Sequence, residues 1–347
     1  MKAWIEKGGY LNNRGRKWLS RLHVERVRRI LVIRQCAFGD MMATRPFLVE
    51  LRRLFPQAHI TLSTVSKYQY AVPDDLVDEV HVLDSRGSLR EQLHSLRQYR
   101  EVDVLFDLAD TARSRLQTLL TSARVKLGFP YRSGLNKLLF DVGILRSDFH
   151  YEAEVLLDFL KIMGHKPQYP LEFAMPRHQR ALAKPRIVYF PYAAVAEKSL
   201  SQESWRQLIE QAATEFPGYR HVLLEGHKAE ESGNFLAEVA ARHDNVEIKG
   251  RMDLERLAPW MAASSVLVSG DTGVRNLALA THTPTLGIFF MTVPFRYWPR
   301  YEDCHEAVFH RDGQVPGKMD ILQGLEELLE RLYPERGKAR QPASSEA

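Results

Sequence analysis

The sequence predicts an α/β protein built from two successive doubly wound parallel-sheet domains, and three observations carry that prediction. Its 347 residues are more than a single hydrophobic core of usual size organises. Short apolar runs alternate with segments of helical spacing along most of the chain, which is the pattern of right-handed βαβ crossovers. A proline-containing irregular passage, with Pro167, Pro170, Pro176 and Pro185, interrupts the alternation near the middle and marks the cut.

The elements follow in order. Ile30 to Ile33 is a continuous apolar run of the kind a buried parallel strand needs, and Phe47, Leu48, Leu51 and Leu54 have helical spacing. His59 to Thr64 and Val80 to Leu83 read as strands, Leu89 to Tyr99 as a helix, Val102 to Phe106 as a strand, and Thr111 to Leu120 and Tyr151 to Met163 as helices. A second alternation begins at Ile187 to Phe190. Strands at His221 to Leu224, Val266 to Ser269 and Thr285 to Phe289 are interleaved with helices at Gln202 to Glu215, Glu230 to Arg242, Leu254 to Ala263 and Asn276 to Ala280. The expected organisation is a basic arm over 1–29, a first Rossmann-like domain over 30–176, a second over 177–333, and a polar, disordered tail over 334–347. Two such halves are expected to face each other across a cleft at the carboxyl ends of their strands, where ligands bind in open α/β sheets.

Charge is unevenly spread. The net charge is +5, yet residues 1–29 alone hold Lys2, Lys7, Arg14, Arg16, Lys17, Arg21, Arg26, Arg28 and Arg29 against Glu6 and Glu25, with Trp4, Tyr10, Trp18 and Leu19 among them. Such a segment can lie on an anionic membrane surface; the alternative is a solvated, partly disordered arm. Nucleic acid is not the expected partner, because no recognised nucleic-acid module follows the arm. No apolar run is long enough to span a bilayer and none resembles a secretory signal, so a cytoplasmic location is expected, with peripheral contact at the inner face of the inner membrane as an option. Cys36 and Cys304 are two cysteines only, too few for a disulfide framework or a zinc cluster of thiolates.

Three strand-to-helix loops carry candidate chemistry. In Arg34-Gln35-Cys36-Ala37-Phe38-Gly39-Asp40, Gly39 permits close approach of a ligand and Asp40 stands where a helix begins. Asp40 is either a helix cap or a general base for an acceptor hydroxyl. In Ser269-Gly270-Asp271-Thr272-Gly273, small residues precede a helix, so backbone N–H groups and the helix dipole favour an anion; capping by Asp271 or Thr272 is the plain alternative. In FPYAAVAEKSLSQESW, Lys198 follows a strand's carboxyl end and could neutralise a departing diphosphate, although a lone loop lysine is often just solvated. A weaker stretch, Glu225-Gly226-His227-Lys228-Ala229-Glu230-Glu231, could hold a nucleoside or simply start a helix. The chain has no Asp-x-Asp element for a divalent ion on a diphosphate, no Gly-Lys-Ser/Thr ending to the Asp-Thr-Gly loop, and no Gly-x-Ser-x-Gly nucleophile elbow.

Together these loops resemble the ADP-heptose lipopolysaccharide heptosyltransferases, glycosyltransferase family 9. The resemblance runs from Ile30 to about Arg331 through ILVIRQCAFGDMMATRPFLVELRRLFPQAHITL and SGDTGVRNLALATHTPTLGIFF. It implies a GT-B fold, an acceptor held by the first domain and an ADP-sugar held by the second. It implies that Asp40 is the base, that Lys198 meets donor phosphate, and that Asp271, Thr272 and Gly273 cradle it. Asn276, Glu225, Gly226 and Glu230 complete the expected donor set; Gly39, Arg45, Arg113 and Arg132 are the expected acceptor set, with Arg52 and Arg115 on nearby segments, each arginine having a plain surface charge as its alternative. The implied reaction is inverting, with an ADP-sugar as co-substrate, no metal and no other cofactor. The chain departs from the family at Asn276, where histidine is usual, at Ser199-Leu200 in place of Trp-Pro, and at Phe290-Met291-Thr292-Val293-Pro294, which lacks a glycine. The expected partners are a nucleotide-sugar donor and a lipopolysaccharide core glycan. Competing readings are a same-fold transferase using another nucleotide sugar or acceptor (protein or O-antigen), a nucleotide-sugar epimerase, and a non-catalytic nucleotide-sugar-binding protein.

Overall fold

The computed structural model describes residues 9–84, 86–97, 99, 101–129, 136–179 and 185–336. The chain divides into two compact units, Met1–Ala174 and Met175–Ala347. No helix of the described residues is long and apolar enough to cross a membrane.

The first unit runs β1 (Tyr10–Leu11), α1 (Asn13–Leu19), β2 (Arg29–Ile33), α2 (Phe38–Leu54), β3 (His59–Val65), β4 (Glu79–Leu83), α3 (Leu89–Arg97), β5 (Val102–Asp107), α4 (Ala112–Leu120), β6 (Ala123–Gly128), α5 (Asn136–Leu139), β7 (Val142–Gly143) and α6 (Glu152–Lys161). Its seven strands lie in the order β1-β7-β6-β5-β2-β3-β4. Every pair is parallel except β1 against β7. From central β2 the chain winds outward through β3 and β4, then returns to β5 and winds the other way. The switch point therefore lies between β2 and β5, in register at Ile33 and Asp107. Both strands are apolar throughout their middles because helices cover both faces of the sheet. Phe47, Phe106, Phe159 and Phe129 form an edge-to-face chain, with successive ring centroids 5.3, 6.1 and 5.0 Å apart, that ties α2, β5 and α6 into one core.

Residues 9–28 are ordered on this sheet, which corrects the expectation of a separate arm over 1–29. Tyr10 and Leu11 add an antiparallel strand to β7, and the Tyr10 hydroxyl donates to the Phe140 carbonyl at 2.5 Å. Asn12 caps α1 by accepting from the Gly15 N–H at 2.8 Å, and its amide donates to Asp141. The Arg14 guanidinium donates to the carbonyls of Ala123 and Arg124 at the start of β6. The physical reason is that an open sheet edge offers unpaired backbone groups, and this segment covers them.

The second unit runs β8 (Arg186–Phe190), α7 (Gln202–Glu215), β9 (Arg220–Leu224), α8 (Ala237–Arg242), β10 (Val246–Lys249), α9 (Leu254–Ala262), β11 (Val266–Ser269), α10 (Gly273–Ala280), β12 (Thr285–Ile288), β13 (His305–Val308) and α11 (Lys318–Leu332). The six parallel strands lie in the order β10-β9-β8-β11-β12-β13, so the winding reverses between β8 and β11, in register at Phe190 and Ser269. Trp205, Leu208 and Ile209 of α7 share one core with Ile321, Leu325 and Leu328 of α11.

The expected helix over Glu230 to Arg242 begins only at Ala237, after a 3₁₀ turn at Asn234–Leu236. Residues 225–233 are instead a loop, because the Glu225 carboxylate accepts the Gly233 N–H at 2.7 Å and holds the chain out of helical geometry. The expected tail begins with a 3₁₀ turn at Pro334–Arg336, and residues 337–347 lie outside the described residues.

Candidate active site

In the first unit the candidate loop leaves β2 at the switch point and enters α2, with Ala37 as N-cap and no side-chain cap hydrogen bond. Gly39 and Asp40 stand in the first turn, so Asp40 is not the cap. Its backbone carbonyl accepts from Thr44 Oγ1 at 2.7 Å and from the Arg34 guanidinium at 3.3 Å. Its half-buried carboxylate accepts no hydrogen bond among the described residues. A negative group in the first turn gains from the helix dipole without neutralisation by a partner. Cys36 lies in the same loop, where burial pushes its thiol up to about 12, so it is a neutral thiol and no nucleophile.

The loop rests on a buried charge network that the sequence does not announce. Arg34 is 1 % exposed and donates to Thr44 Oγ1 at 3.0 Å, to the Leu108 carbonyl, and to Glu152 at 3.3 Å. Arg146 donates to the same carboxylate at 2.6 Å. Gln35 accepts from Thr111 Oγ1 at 3.0 Å, which couples the loop to the N-cap of α4. Asp107, at the end of β5, is fully buried; burial pushes its carboxyl up to about 6, against hydrogen bonds from the Ala109 N–H and the Thr118 hydroxyl.

The expected acceptor cations fare differently. Arg45 is 5 % exposed and its guanidinium is fully engaged: it pairs with both Asp75 oxygens, at 3.0 and 2.5 Å, and donates to the carbonyls of Phe173 and Ala174. It is a strut holding the end of the first unit against α2, which corrects its expected role as an acceptor contact. Arg52 pairs with Asp78 at 2.5 Å and Arg115 with Asp110 at 2.7 Å. Arg113 is half-buried in the first turn of α4, with no hydrogen bond among the described residues. Arg132 lies outside the described residues.

In the second unit three loops leave the carboxyl ends of adjacent interior strands: after β9, β8 and β11. Lys198 closes a 3₁₀ turn after β8, and its ammonium meets Asp271, after β11, at 2.8 Å. This pair, 73 residues apart in sequence, stands at the switch point. Lys198 keeps 29 % of its side chain exposed, so the cation reaches solvent. Thr272 is the N-cap of α10, accepting from the Arg275 N–H at 3.3 Å, and Gly273 is the first helical residue. A Cβ at Gly270 would stand 3.0 Å from the Lys198 carbonyl, so a side chain there would push the two loops apart. Asn276 is buried one turn in, its amide reaching back to the Thr272 carbonyl at 3.4 Å. In the loop after β9, a Cβ at Gly226 would collide with the Glu231 carboxylate at 1.9 Å; Glu225 is half-buried and holds the Gly233 N–H, while Glu230 is exposed.

Sequence reasoning passed over Tyr192, which follows the end of β8. It is 9 % exposed, its hydroxyl has no hydrogen bond among the described residues, and burial with Glu225 and Glu231 nearby raises its pKa. Its position two residues past a central strand was the available signal. Arg275, beside Asn276, was also passed over; it is buried, donates to the Tyr297 carbonyl and lies 5.0 Å over the Phe289 ring.

Each doubly wound unit thus presents a charged group beside a helix start at its own switch point: Asp40 in the first turn of α2, and Lys198 beside the Thr272-capped start of α10. Residues 89–316 match the profile of glycosyltransferase family 9 (heptosyltransferase), and the chain belongs to that family and is a glycosyltransferase. It is 23% identical over 287 residues to lipopolysaccharide heptosyltransferase 1 of Salmonella typhimurium, covering 77% of this chain and 89% of that one. It is 23% identical over 308 residues to lipopolysaccharide heptosyltransferase 2 of Escherichia coli strain K12, covering 77% and 84%. The fold is similar to that of the E. coli heptosyltransferase WaaC with ADP-2-deoxy-2-fluoro heptose, with a TM-score of 0.68 at 20% identity over 86% of this chain and 99% of that one. These neighbours confirm the expected α/β, GT-B class. Asp40 lies outside the span of the family match, whereas Lys198 and the Asp271 loop lie within it.

Proposed function

We propose that the protein transfers heptose from ADP-heptose to a sugar of the lipopolysaccharide core, by a single displacement with inversion. Asp40 takes the proton of the acceptor hydroxyl, the oxygen bonds to the anomeric carbon, and the bond to ADP breaks with its electron pair leaving on the diphosphate. Lys198 and the backbone N–H groups opening α10 meet the charge that develops there, so no divalent ion on the diphosphate is required. The single observation that carries this reading is the Lys198–Asp271 pair beside the Thr272-capped start of α10. Asp271 holds the ammonium in place until a phosphate replaces it. The relatives named above support the donor and the acceptor class.

Gly39 gives the acceptor room to reach Asp40, and Arg113 supplies a cation near it. The Glu225-Gly226 loop and Tyr192 hold the nucleoside. The basic face formed by Lys17, Arg21 and Arg26 lets a cytoplasmic enzyme sit peripherally on the anionic inner membrane that carries its acceptor. A second reading, a different nucleotide sugar on the same site, is favoured by Asn276 where the family's motif has histidine.

The test is transfer itself. Purified protein is incubated with ADP-heptose and a heptose-free core acceptor, with and without Mg²⁺ and Mn²⁺, and the anomeric configuration of the product is read by NMR. Inverted heptosyl product at the same rate in both conditions supports the proposal. Retained configuration, dependence on added metal, or turnover only with another nucleotide sugar contradicts it.

A further inference from the structure

At the amino end of the edge strand β13, away from the carboxyl strand ends that carry Lys198 and Asp271, the loop before β13 brings together Glu302, Cys304 and His305. One ligand atom from each lies within 4.8 Å of the others. His305 is 3 % exposed and opens β13, in register with Thr285 at the start of β12. Its Nδ1 is 3.1 Å from the Thr285 hydroxyl. Its Nε2 makes no hydrogen bond among the described residues, and Glu302 is 3.5 Å from it. The other side of the Glu302 carboxylate is held by His282 Nδ1 at 3.1 Å, from the turn after α10.

The chemistry of that arrangement calls for a cation. Nδ1 of His305 is taken up by the Thr285 hydroxyl, so Nε2, buried on the Glu302 side, is the ring nitrogen left for a ligand. Imidazole, thiolate and carboxylate together are a borderline-soft donor set that suits Zn²⁺. Zinc–ligand bonds of about 2.0–2.3 Å need donor atoms somewhat closer together than they stand, a small rotation of loop side chains.

We propose that Glu302, Cys304 and His305 form a zinc site, with His282 orienting the Glu302 carboxylate as an outer partner and a water or small anion in the fourth position. The bound ion would tie the loop before β13, through Glu302 and its His282 partner, to the turn ending α10, whose other end carries Thr272.

The probes are Co²⁺ and Zn²⁺ added to the full chain freed of metal by chelator. Co²⁺ is expected to bind one per chain and give a thiolate charge-transfer band in the near ultraviolet. The band persists in Cys36→Ser, disappears in Cys304→Ser, and is displaced by Zn²⁺ in the wild type. Zn²⁺ is expected to raise the Tm of the wild type and Cys36→Ser by several degrees and to leave Cys304→Ser and Glu302→Gln unmoved. Glu302→Gln keeps size and shape and decides the matter where Cys304→Ser does not fold. No cobalt band, a band retained without Cys304, or the same zinc shift in Glu302→Gln as in wild type overturns the proposal.

Discussion

In each unit the winding of the chain reverses at one pair of central strands, β2 with β5 in the first and β8 with β11 in the second, and the loops beyond those pairs are filled in opposite ways. Beyond β2 the charge that meets solvent is a carboxylate, Asp40, while the cation beneath it, Arg34, is buried and fixed by Glu152. Beyond β8 the charge that meets solvent is an ammonium, Lys198, and the carboxylate beside it, Asp271, is mostly covered. On the proposed reading, one architecture yields a proton-accepting end in the first unit and a phosphate-accepting end in the second.

Removing the acting carboxylate breaks the first half of that comparison. Asp40→Asn is expected to lower the transfer rate by about 10³-fold, within the usual range for general-base catalysis, with the fold intact by circular dichroism. A variant within threefold of wild type would remove Asp40 from the chemistry. The buried partner gives a stability effect instead. Glu152→Gln leaves Arg34 and Arg146 without their shared carboxylate and is expected to destabilise the protein by about 3–5 kcal/mol in urea unfolding; a change under about 1 kcal/mol would mean the network is dispensable.

On the other side, Lys198→Met is expected to lower kcat/KM by about 10²-fold and to weaken ADP binding, since it deletes the cation and leaves the mostly covered Asp271 carboxylate unpaired. Equal ADP affinity in both proteins would show that the ammonium does not meet the diphosphate. Asp107 provides a pH handle. Its native value of about 6 lies above the ordinary 3.8, so the folded protein holds its proton more tightly than the unfolded chain. Its contribution of roughly 3 kcal/mol is intact below about pH 4 and is lost as pH rises through 6. Asp107→Asn should flatten the stability profile between those values; an unchanged slope would place the proton elsewhere. The smallest effect is expected at the helix cap, where Thr272→Ala costs about 1 kcal/mol by thermal unfolding and Thr272→Ser costs almost nothing.

The sequence shows where strong periodicity exists and fails where structure depends on distant partners. Ile30 to Ile33, Val102 to Phe106 and Val266 to Ser269 read as buried strands because helices cover both their faces. β1, at two residues, is visible only through its pairing with β7, and β13 is a four-residue edge strand with half its residues polar. The loop over 225–233 has helical composition, yet one hydrogen bond from Gly233 to Glu225 overrides it. Within the sites, Lys198 and Asp271 are legible as strand-end residues. Arg45 shows the limit of that logic, since a basic residue on α2 reads the same in sequence whether it meets a ligand or Asp75.

The most direct test places the two ends side by side: ADP affinity by calorimetry and the single-turnover transfer rate, for Asp40→Asn and Lys198→Met. The account predicts that Asp40→Asn keeps wild-type ADP affinity and loses the rate, whereas Lys198→Met loses both. Weakened ADP binding in Asp40→Asn together with an unaffected Lys198→Met would contradict the division of labour between the two units.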